Sequence, residues 1–252
     1  MAARIESRFV DVDRMRLHAR VTAVDPRQPM PVVFVHGIGV ASPYFVPTLG
    51  RLASDYRCYA LDLPGLGESD KPERTFDVPE LADAAAAWAA AARLERPAWV
   101  GNSLGCQVAV ELAVRRPELV ARLVLLGPTT DPGARSPLRQ TLRWLRNSVH
   151  ERPSQLPLLI RDYRAAGVRL PYETFRLALR DGIEEKLPHV QAPTLIVRGE
   201  RDPIVPRRWA EEATRLLPRG RLATVAGAGH TLNFNSPDEV ARLLRPFLAG
   251  GR

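Results

Sequence analysis

Short runs of consecutive apolar residues alternate with helical segments along most of the chain, and this alternation limits the fold to few choices. The runs are Val32–Val35, Arg57–Leu61, Ala98–Val100, Arg122–Leu126, Thr194–Val197 and Leu222–Val225. A run without polar alternation reads as a strand buried on both faces. Between the runs lie predicted helices over Pro43–Ala53, from Asp77 to about Leu94, over Leu104–Arg116 and over Arg207–Leu217. Ser42 is the expected N-cap of the first, with Pro43 at its first position. A last helix is expected to open with Ser236-Pro-Asp-Glu239 as a capping box. The pattern implies a mostly parallel, doubly wound α/β sheet with helices on both faces. Before it, Arg8–Val12 and Arg16–Val21 read as two strands around an Asp13-Arg14 turn, which gives the sheet an antiparallel edge. Asp25–Pro29 reads as a loop.

The rhythm breaks between about Thr129 and Pro188, where only helical patterns occur. The division is therefore residues 1–130 and 188–252 as the α/β core, with 131–187 as an inserted helical cap. Within it Leu138, Leu142, Leu145 and Val149 recur at helical spacing. They are expected to form a packing face beside a solvated face of Arg139, Arg143 and Arg146. Trp144, Tyr163, Tyr172 and Phe175 either line an apolar pocket or pack the insertion, and packing is the expectation. Basic residues outnumber acidic ones in this segment. A sharper reading has Arg135 or Arg139 pairing an acidic substrate group. Arg135, Arg139 and Trp144 are the candidate substrate contacts.

Gly101-Asn-Ser-Leu-Gly105 stands where a strand ends and a helix begins. This is the G-x-S-x-G nucleophile elbow, in which small flanking residues allow a sharp, strained turn that exposes the serine. The backbone N–H groups at the start of the following helix favour developing negative charge. His36-Gly-Ile-Gly39 follows the Val32–Val35 strand directly. It reads as an oxyanion loop, with the N–H groups of Ile38 and Leu104 as donors and with His36, Gly37 and Gly39 shaping the loop. A competing reading takes Gly37-Ile-Gly39-Val-Ala-Ser42 as a dinucleotide fingerprint with Asp62 as the ribose-binding acid, though Ser42 replaces its third glycine and Ser103 goes unexplained. Asp202 follows the Thr194–Val197 strand and lies on the same rim as the elbow. Asp131 and Glu200 are its rivals as the acid that orients a histidine. His230, in Gly227-Ala-Gly-His230, follows the Leu222–Val225 strand, and of the five histidines it is the one placed to reach the serine. His18, His150 and His189 sit in ordinary contexts.

These motifs, with Asp62-Leu-Pro-Gly-Leu-Gly-Glu-Ser69, resemble the α/β-hydrolase superfamily over nearly the full length, in its capped, esterase-like and carbon–carbon hydrolase-like branch. The resemblance implies an α/β-hydrolase fold with Ser103 as nucleophile, His230 as general base, Asp202 as orienting acid and a helical cap over the pocket. It also implies that Asp62–Ser69 is a structural turn. Thr231 stands where ring-fission-product hydrolases usually carry a tryptophan, and Cys106 where a glycine is common. Haloalkane dehalogenases and epoxide hydrolases carry an aspartate at the position of Ser103. The expected activity is hydrolysis of a small carboxylic ester or lactone through an acyl-enzyme, with no cofactor and no metal. The alternatives are a carbon–carbon hydrolase acting on a vinylogous diketone and a weakly catalytic ligand-binding protein.

Composition excludes other classes. The 252 residues are 45% hydrophobic and 25% charged, as in a globular domain. The net charge of +8 invites a nucleic-acid reading, but all of the 36 basic residues except Lys71 and Lys186 are arginine, scattered rather than blocked. No nucleic-acid-binding motif accompanies them. Cys58 and Cys106 are too few for a disulfide scaffold or a cysteine-rich zinc site and read as small buried hydrophobes. No apolar run approaches the roughly 20 residues of a membrane span, and the first residues lack the apolar run of a secretory signal. The expectation is a cytoplasmic protein with a small-molecule substrate and no nucleic-acid or membrane partner. A homodimer is left open.

Overall fold

The computed structural model describes residues 4–23 and 28–250. Most of the Asp25–Pro29 loop thus lies outside the described residues. Eight strands form one sheet: β1 (Ile5–Val12), β2 (Met15–Thr22), β3 (Gln28–Val35), β4 (Tyr56–Leu61), β5 (Ala98–Asn102), β6 (Arg122–Leu126), β7 (Thr194–Gly199) and β8 (Gly220–Val225). Their order is β1-β2-β4-β3-β5-β6-β7-β8. β1 pairs antiparallel with β2 and β2 with β4, and every other pairing is parallel. Among the described residues ten α-helices accompany them: α1 (Val46–Leu52), α2 (Val78–Ala91), α3 (Leu104–Arg115), α4 (Pro137–Asn147), α5 (Leu156–Ala166), α6 (Arg169–Arg180), α7 (Ile183–Lys186), α8 (Arg207–Leu216), α9 (Leu232–Asn235) and α10 (Pro237–Leu248).

The apolar runs are strands because each feeds two cores. Val33, Val35, Trp99, Leu123, Leu125 and Ile196 point to one face, where they pack with α2, α3 and α8. Val32, Phe34, Val100, Val124, Leu126, Leu195 and Val197 point to the other, with α1 and α10. Successive side chains alternate across the pleat, so a strand covered on both sides has no place for a polar residue. Each fully buried Val, Leu, Ile or Phe contributes roughly 1.5–3 kcal/mol relative to exposure.

The parallel register brings the carboxyl ends of the strands to one rim. Val35 pairs with Gly101, Asn102 with Leu126, Leu126 with Val197, and Gly199 with Val225. The chain winds outward from β3 to β4 on one side and to β5 on the other, so the topological switch lies between β3 and β5. Ligands bind outside the carboxyl ends of strands at such a point.

Two expected caps differ in the structure. Ser42 is not an N-cap: the chain makes a 3-10 turn over Ser42–Phe45 before α1, and Ala41 precedes it without a side-chain cap. The donor exposed at that turn is satisfied from a distance, as the Ser42 N–H donates to Asp62 Oδ1. Ser236 does not form a capping box with Glu239. The short helix α9 runs directly into α10, and Asp238 of the first turn is drawn to Arg51 instead. Asp77 and Glu80 do form a capping box, each side chain accepting from the other residue's backbone N–H.

The inserted segment differs more. Leu138, Leu142, Leu145 and Val149 are not a packing face; Leu138 is 70% exposed and Val149 77%. Trp144 and Tyr172 are also mostly exposed, so the expected packing of these aromatics is not what the structure shows. The inward face of α4 is polar. Gln140 donates to the Ala134 carbonyl, Arg143 to Asp131, and Asn147 accepts from the His230 N–H. α4 lies over the Ala134 and Ile204 carbonyls, the Asp131 carboxylate and the His230 N–H, and satisfying those groups governs which side turns in. Among the described residues no helix is long and apolar enough to cross a membrane.

Candidate active site

β5 delivers the chain to Ser103, which has φ 55° and ψ −117°. A non-glycine residue in this region costs on the order of 1–3 kcal/mol. The surroundings hold it there: the Ser103 N–H donates to the Leu126 carbonyl and the Cys106 N–H to the Ser103 carbonyl. The flanking glycines are required by close approach rather than by torsion. A Cβ on Gly101 would lie 2.2 Å from the Gly105 carbonyl oxygen, and one on Gly105 would lie 2.0 Å from that of Val35. Cys106 is buried beneath the turn with its thiol pKa raised, chiefly by burial, and Cys58 is likewise buried and raised. Both behave as the small apolar residues expected.

The loop after β3 presses against the serine. A Cβ on Gly37 would lie 3.2 Å from Ser103 Cβ. His36 is buried and organises this loop. Its Nδ1 donates to the Gly37 carbonyl at 2.9 Å, and its Nε2 accepts from the Leu63 N–H at 3.0 Å. Both ring nitrogens are committed, and burial holds the pKa below the ordinary histidine value. His36 therefore serves as a neutral support and not as a base. Leu104 is the first residue of α3, so its N–H has no intrahelical partner. Ile38 is half-buried in the loop after β3. The Tyr163 ring lies across Gly39, where a Cβ would meet it at 2.6 Å.

The acid and the histidine come from the loops after β7 and β8. His230 Nδ1 lies 2.7 Å from Asp202 Oδ2. Asp202 Oδ1 accepts from the N–H groups of Ile204 and Val205 at 2.8 and 3.1 Å. His230 Nε2 is buried and has no hydrogen-bond partner in the protein. With Nδ1–H donating to Asp202, Nε2 carries the basic lone pair. Burial works against the imidazolium, but the charge and hydrogen bond of Asp202, with Glu151 beyond, outweigh it and raise the pKa above the ordinary value. Gly127 joins this pair to the serine. It follows Leu126, which binds the Ser103 N–H, and a Cβ on it would lie 2.9 Å from the His230 ring and 3.4 Å from Asp202.

The rival acids are occupied elsewhere. Asp131 is buried and accepts from Arg208, from Arg143 at 2.7 Å and from the Gly133 N–H. Glu200 accepts from the Gly227 N–H on the surface. Asp62 is not open to a ribose either. It is fully buried, with Oδ2 accepting from His18 Nδ1 at 2.6 Å and from the Glu68 N–H at 3.0 Å, and with Ser42 on Oδ1. It is the centre of a structural turn. His18, ordinary in sequence context, is its buried partner.

Ser103, Asp202, His230, Ile38, Leu104, His36, Gly37 and Gly39 are thus gathered at one rim. The cap candidates are not. Arg135 donates to Glu184 at 2.6 Å and to the Asp181 carbonyl, and Arg139 donates to the Gly133 carbonyl. Trp144 is 53% exposed. The residues of the inserted segment that do reach the site are Asn147 and Glu151, on the His230 N–H, and Tyr163, on the Gly39 loop. Nothing in their spacing marks them, because each acts across more than 75 residues of sequence. Among the described residues no three His, Cys, Asp or Glu side chains are placed to hold a metal ion.

The arrangement can take a proton from a hydroxyl and stabilise an oxyanion. Comparisons with known proteins point to hydrolases. The family profile described as "Alpha/beta hydrolase family" matches residues 32–243. The chain is 27% identical over 267 residues to 2-(acetamidomethylene)succinate hydrolase of Mesorhizobium japonicum, covering 96% of this chain and 95% of that protein. It is 28% identical over 246 residues to pimeloyl-[acyl-carrier protein] methyl ester esterase of Xanthomonas oryzae pv. oryzae, covering 86% and 94%. Among solved structures, a bacterial membrane phospholipase A superposes with a TM-score of 0.82 at 26% identity, covering 98% of this chain and 86% of that one.

Proposed function

The chain belongs to the α/β-hydrolase family, and from that premise we propose that it is a serine hydrolase cleaving a small carboxylic ester or lactone through an acyl-enzyme on Ser103. The observation that carries this reading is the Asp202–His230 pair, with an unpartnered Nε2, gathered around Gly127 beside a strained serine. Relatives that act on a methyl ester and on an acetamidomethylene succinate support carbonyl hydrolysis as the common chemistry.

His230 Nε2 takes the proton of the Ser103 hydroxyl as Oγ attacks the substrate carbonyl. Asp202 holds Nδ1–H, fixing the tautomer and stabilising the imidazolium. The Ile38 and Leu104 N–H groups receive the oxyanion, each such donor being worth on the order of 10²–10³ in rate. The imidazolium returns its proton to the leaving alkoxide, leaving the acyl group on Ser103. Water, deprotonated by His230, then releases the acid. No cofactor enters this scheme, and the ligand is a small molecule at the rim beneath the cap.

Intact mass after incubation with a fluorophosphonate, wild type beside Ser103→Ala, tests the nucleophile. One adduct on wild type alone is expected, with a loss on the order of 10³–10⁶ in ester turnover for the variant. Unchanged turnover in Ser103→Ala overturns the mechanism. Cleavage of a vinylogous diketone with no cleavage of esters moves the activity to carbon–carbon hydrolysis. Tight ligand binding with no adduct and no product makes it a binding protein.

A further inference from the structure

We propose that Glu151, carried by the segment inserted between β6 and β7, is a positioning residue for His230, gripping the backbone of the histidine loop while Asp202 holds the ring. The proposal rests on the serine-hydrolase reading for its consequence in rate, but not for its geometry.

Glu151 follows α4, in the turn between Ser148–His150 and Pro153–Gln155. Its Oε1 accepts from the N–H of His230 at 3.0 Å, from the N–H of Thr231 at 3.1 Å and from Asn147 Nδ2. Its Oε2 accepts from the Thr231 hydroxyl, from Asn235 Nδ2 and from Gln155 Nε2. None of these six donors is charged. In a segment rich in arginine, a glutamate seeking only charge would lie on a guanidinium. This one fills a receptor of neutral donors built largely from the histidine loop and α9. The sequence admits it at one point: a Cβ on Gly229 would lie 2.9 Å from Glu151 Oε1 and 3.1 Å from Asn147 Oδ1.

Two consequences follow for His230. Its backbone N–H is held by Glu151 while its ring is held by Asp202, so loop and ring are fixed separately; a misplacement of about 1 Å in such a group costs on the order of 10² in rate. The carboxylate also adds negative potential at the imidazole, and Glu151 stands after Asp202 among the charges that raise its pKa. The groups facing the pair are Asp202 from the β7 loop, His150 beside Gly229, and Tyr44, whose phenol is pushed well up by burial first and by Glu151 second. The cap is therefore part of the machinery that sets the base as well as a cover over it.

The test compares wild type, Glu151→Gln and Glu151→Asp, with Arg152→Gln as a neighbouring surface control. The His230 Cε1–H resonance, assigned by its loss in His230→Asn, is titrated by proton NMR in each, and the kcat and KM of a p-nitrophenyl ester are followed against pH. Glu151→Gln is expected to lower kcat about 10–100-fold with KM moving far less. It is also expected to shift both the His230 midpoint and the acid limb of kcat/KM to lower pH. Glu151→Asp, which keeps the charge on a shorter stem, should lose part of kcat and keep the midpoint near wild type. Fluorophosphonate titration counts competent sites, so a simple loss of folded protein lowers the count and leaves both pH readouts unmoved. A Glu151→Gln protein with wild-type kcat and an unmoved midpoint overturns the proposal. Because NMR reads His230 without substrate, a protein inert to every ester still decides the Glu151–His230 relation, while the hydrolase reading fails separately.

Discussion

His230 Nδ1 stands 2.7 Å from Asp202 Oδ2, and the other oxygen of that carboxylate is pinned by two backbone N–H groups. The acid is thus fixed before it meets the ring, and it can orient the imidazole without moving. Asp202→Asn should keep the fold and lower kcat on the order of 10⁴ by presenting the wrong tautomer. Asp131→Asn should cost less than about tenfold in kcat, since Asp131 serves Arg143 and Arg208; its expected effect is a loss on the order of 1–3 kcal/mol of stability. Ester kinetics and urea unfolding of both variants check the assignment, which is reversed if Asp131→Asn is the slower enzyme.

The pH profile carries a sign. The His230 pKa is raised above the ordinary histidine value of about 6.5, against the burial that would lower it. A general base works only when neutral, so kcat/KM should rise with pH through a limb centred above that value. The same shift makes His230 favour the folded state below its unfolded pKa, a contribution lost as pH rises through the folded pKa. Stability and activity should therefore move in opposite directions across that window. A limb centred well below about 6.5 would contradict the environment described for His230.

Gly127 is a packing constraint on the base. A Cβ there meets the His230 ring at 2.9 Å, and its φ of 61° is unfavourable for other residues. Gly127→Ala should displace the ring and lower kcat on the order of 10². The expected stability loss is only about 1–2 kcal/mol, as for left-handed backbone in other residues. Measuring kcat beside the thermal midpoint separates the two effects.

Arg135 tests the reading of the cap arginines. It is held by Glu184 and the Asp181 carbonyl. Arg135→Met should therefore change KM for acidic and neutral esters equally. A selective rise in KM for acids would instead restore Arg135 as a substrate contact.

Asp62 contributes to stability on the acid side. Burial would raise its pKa, but hydrogen bonds from His18 and from backbone N–H groups, with His36 nearby, leave it below the ordinary carboxylate value. Its contribution is present above about pH 4, the unfolded value, and is lost as pH falls through the lower folded value. Asp62→Asn should lower stability on the order of 3 kcal/mol at neutral pH, with a deficit that shrinks in acid. A deficit that grows in acid would reverse the sign.

The parallel sheet, the elbow at Ser103, the loop at His36–Gly39 and the chain order of Ser103, Asp202 and His230 were all legible in the amino-acid sequence. Each rests on a local requirement: a strand covered on both faces excludes polar residues, and a turn with 2.0–2.2 Å approaches excludes any Cβ. Asp202 was preferred over its rivals Asp131 and Glu200 from the sequence, although all three lie near the carboxyl ends of strands on the same rim. The tertiary structure adds the partner each acid meets: His230 for Asp202, Arg143 and Arg208 for Asp131, and the Gly227 N–H for Glu200. The inverted face of α4 and the reach of Asn147 and Glu151 to the His230 loop had no local signature. Helical periodicity reports that a helix has two faces, whereas which face turns inward depends on what it covers. Here it meets the Ala134 and Ile204 carbonyls, the Asp131 carboxylate and the His230 N–H, so the polar face turned in, and the inserted segment became a partner of the histidine loop.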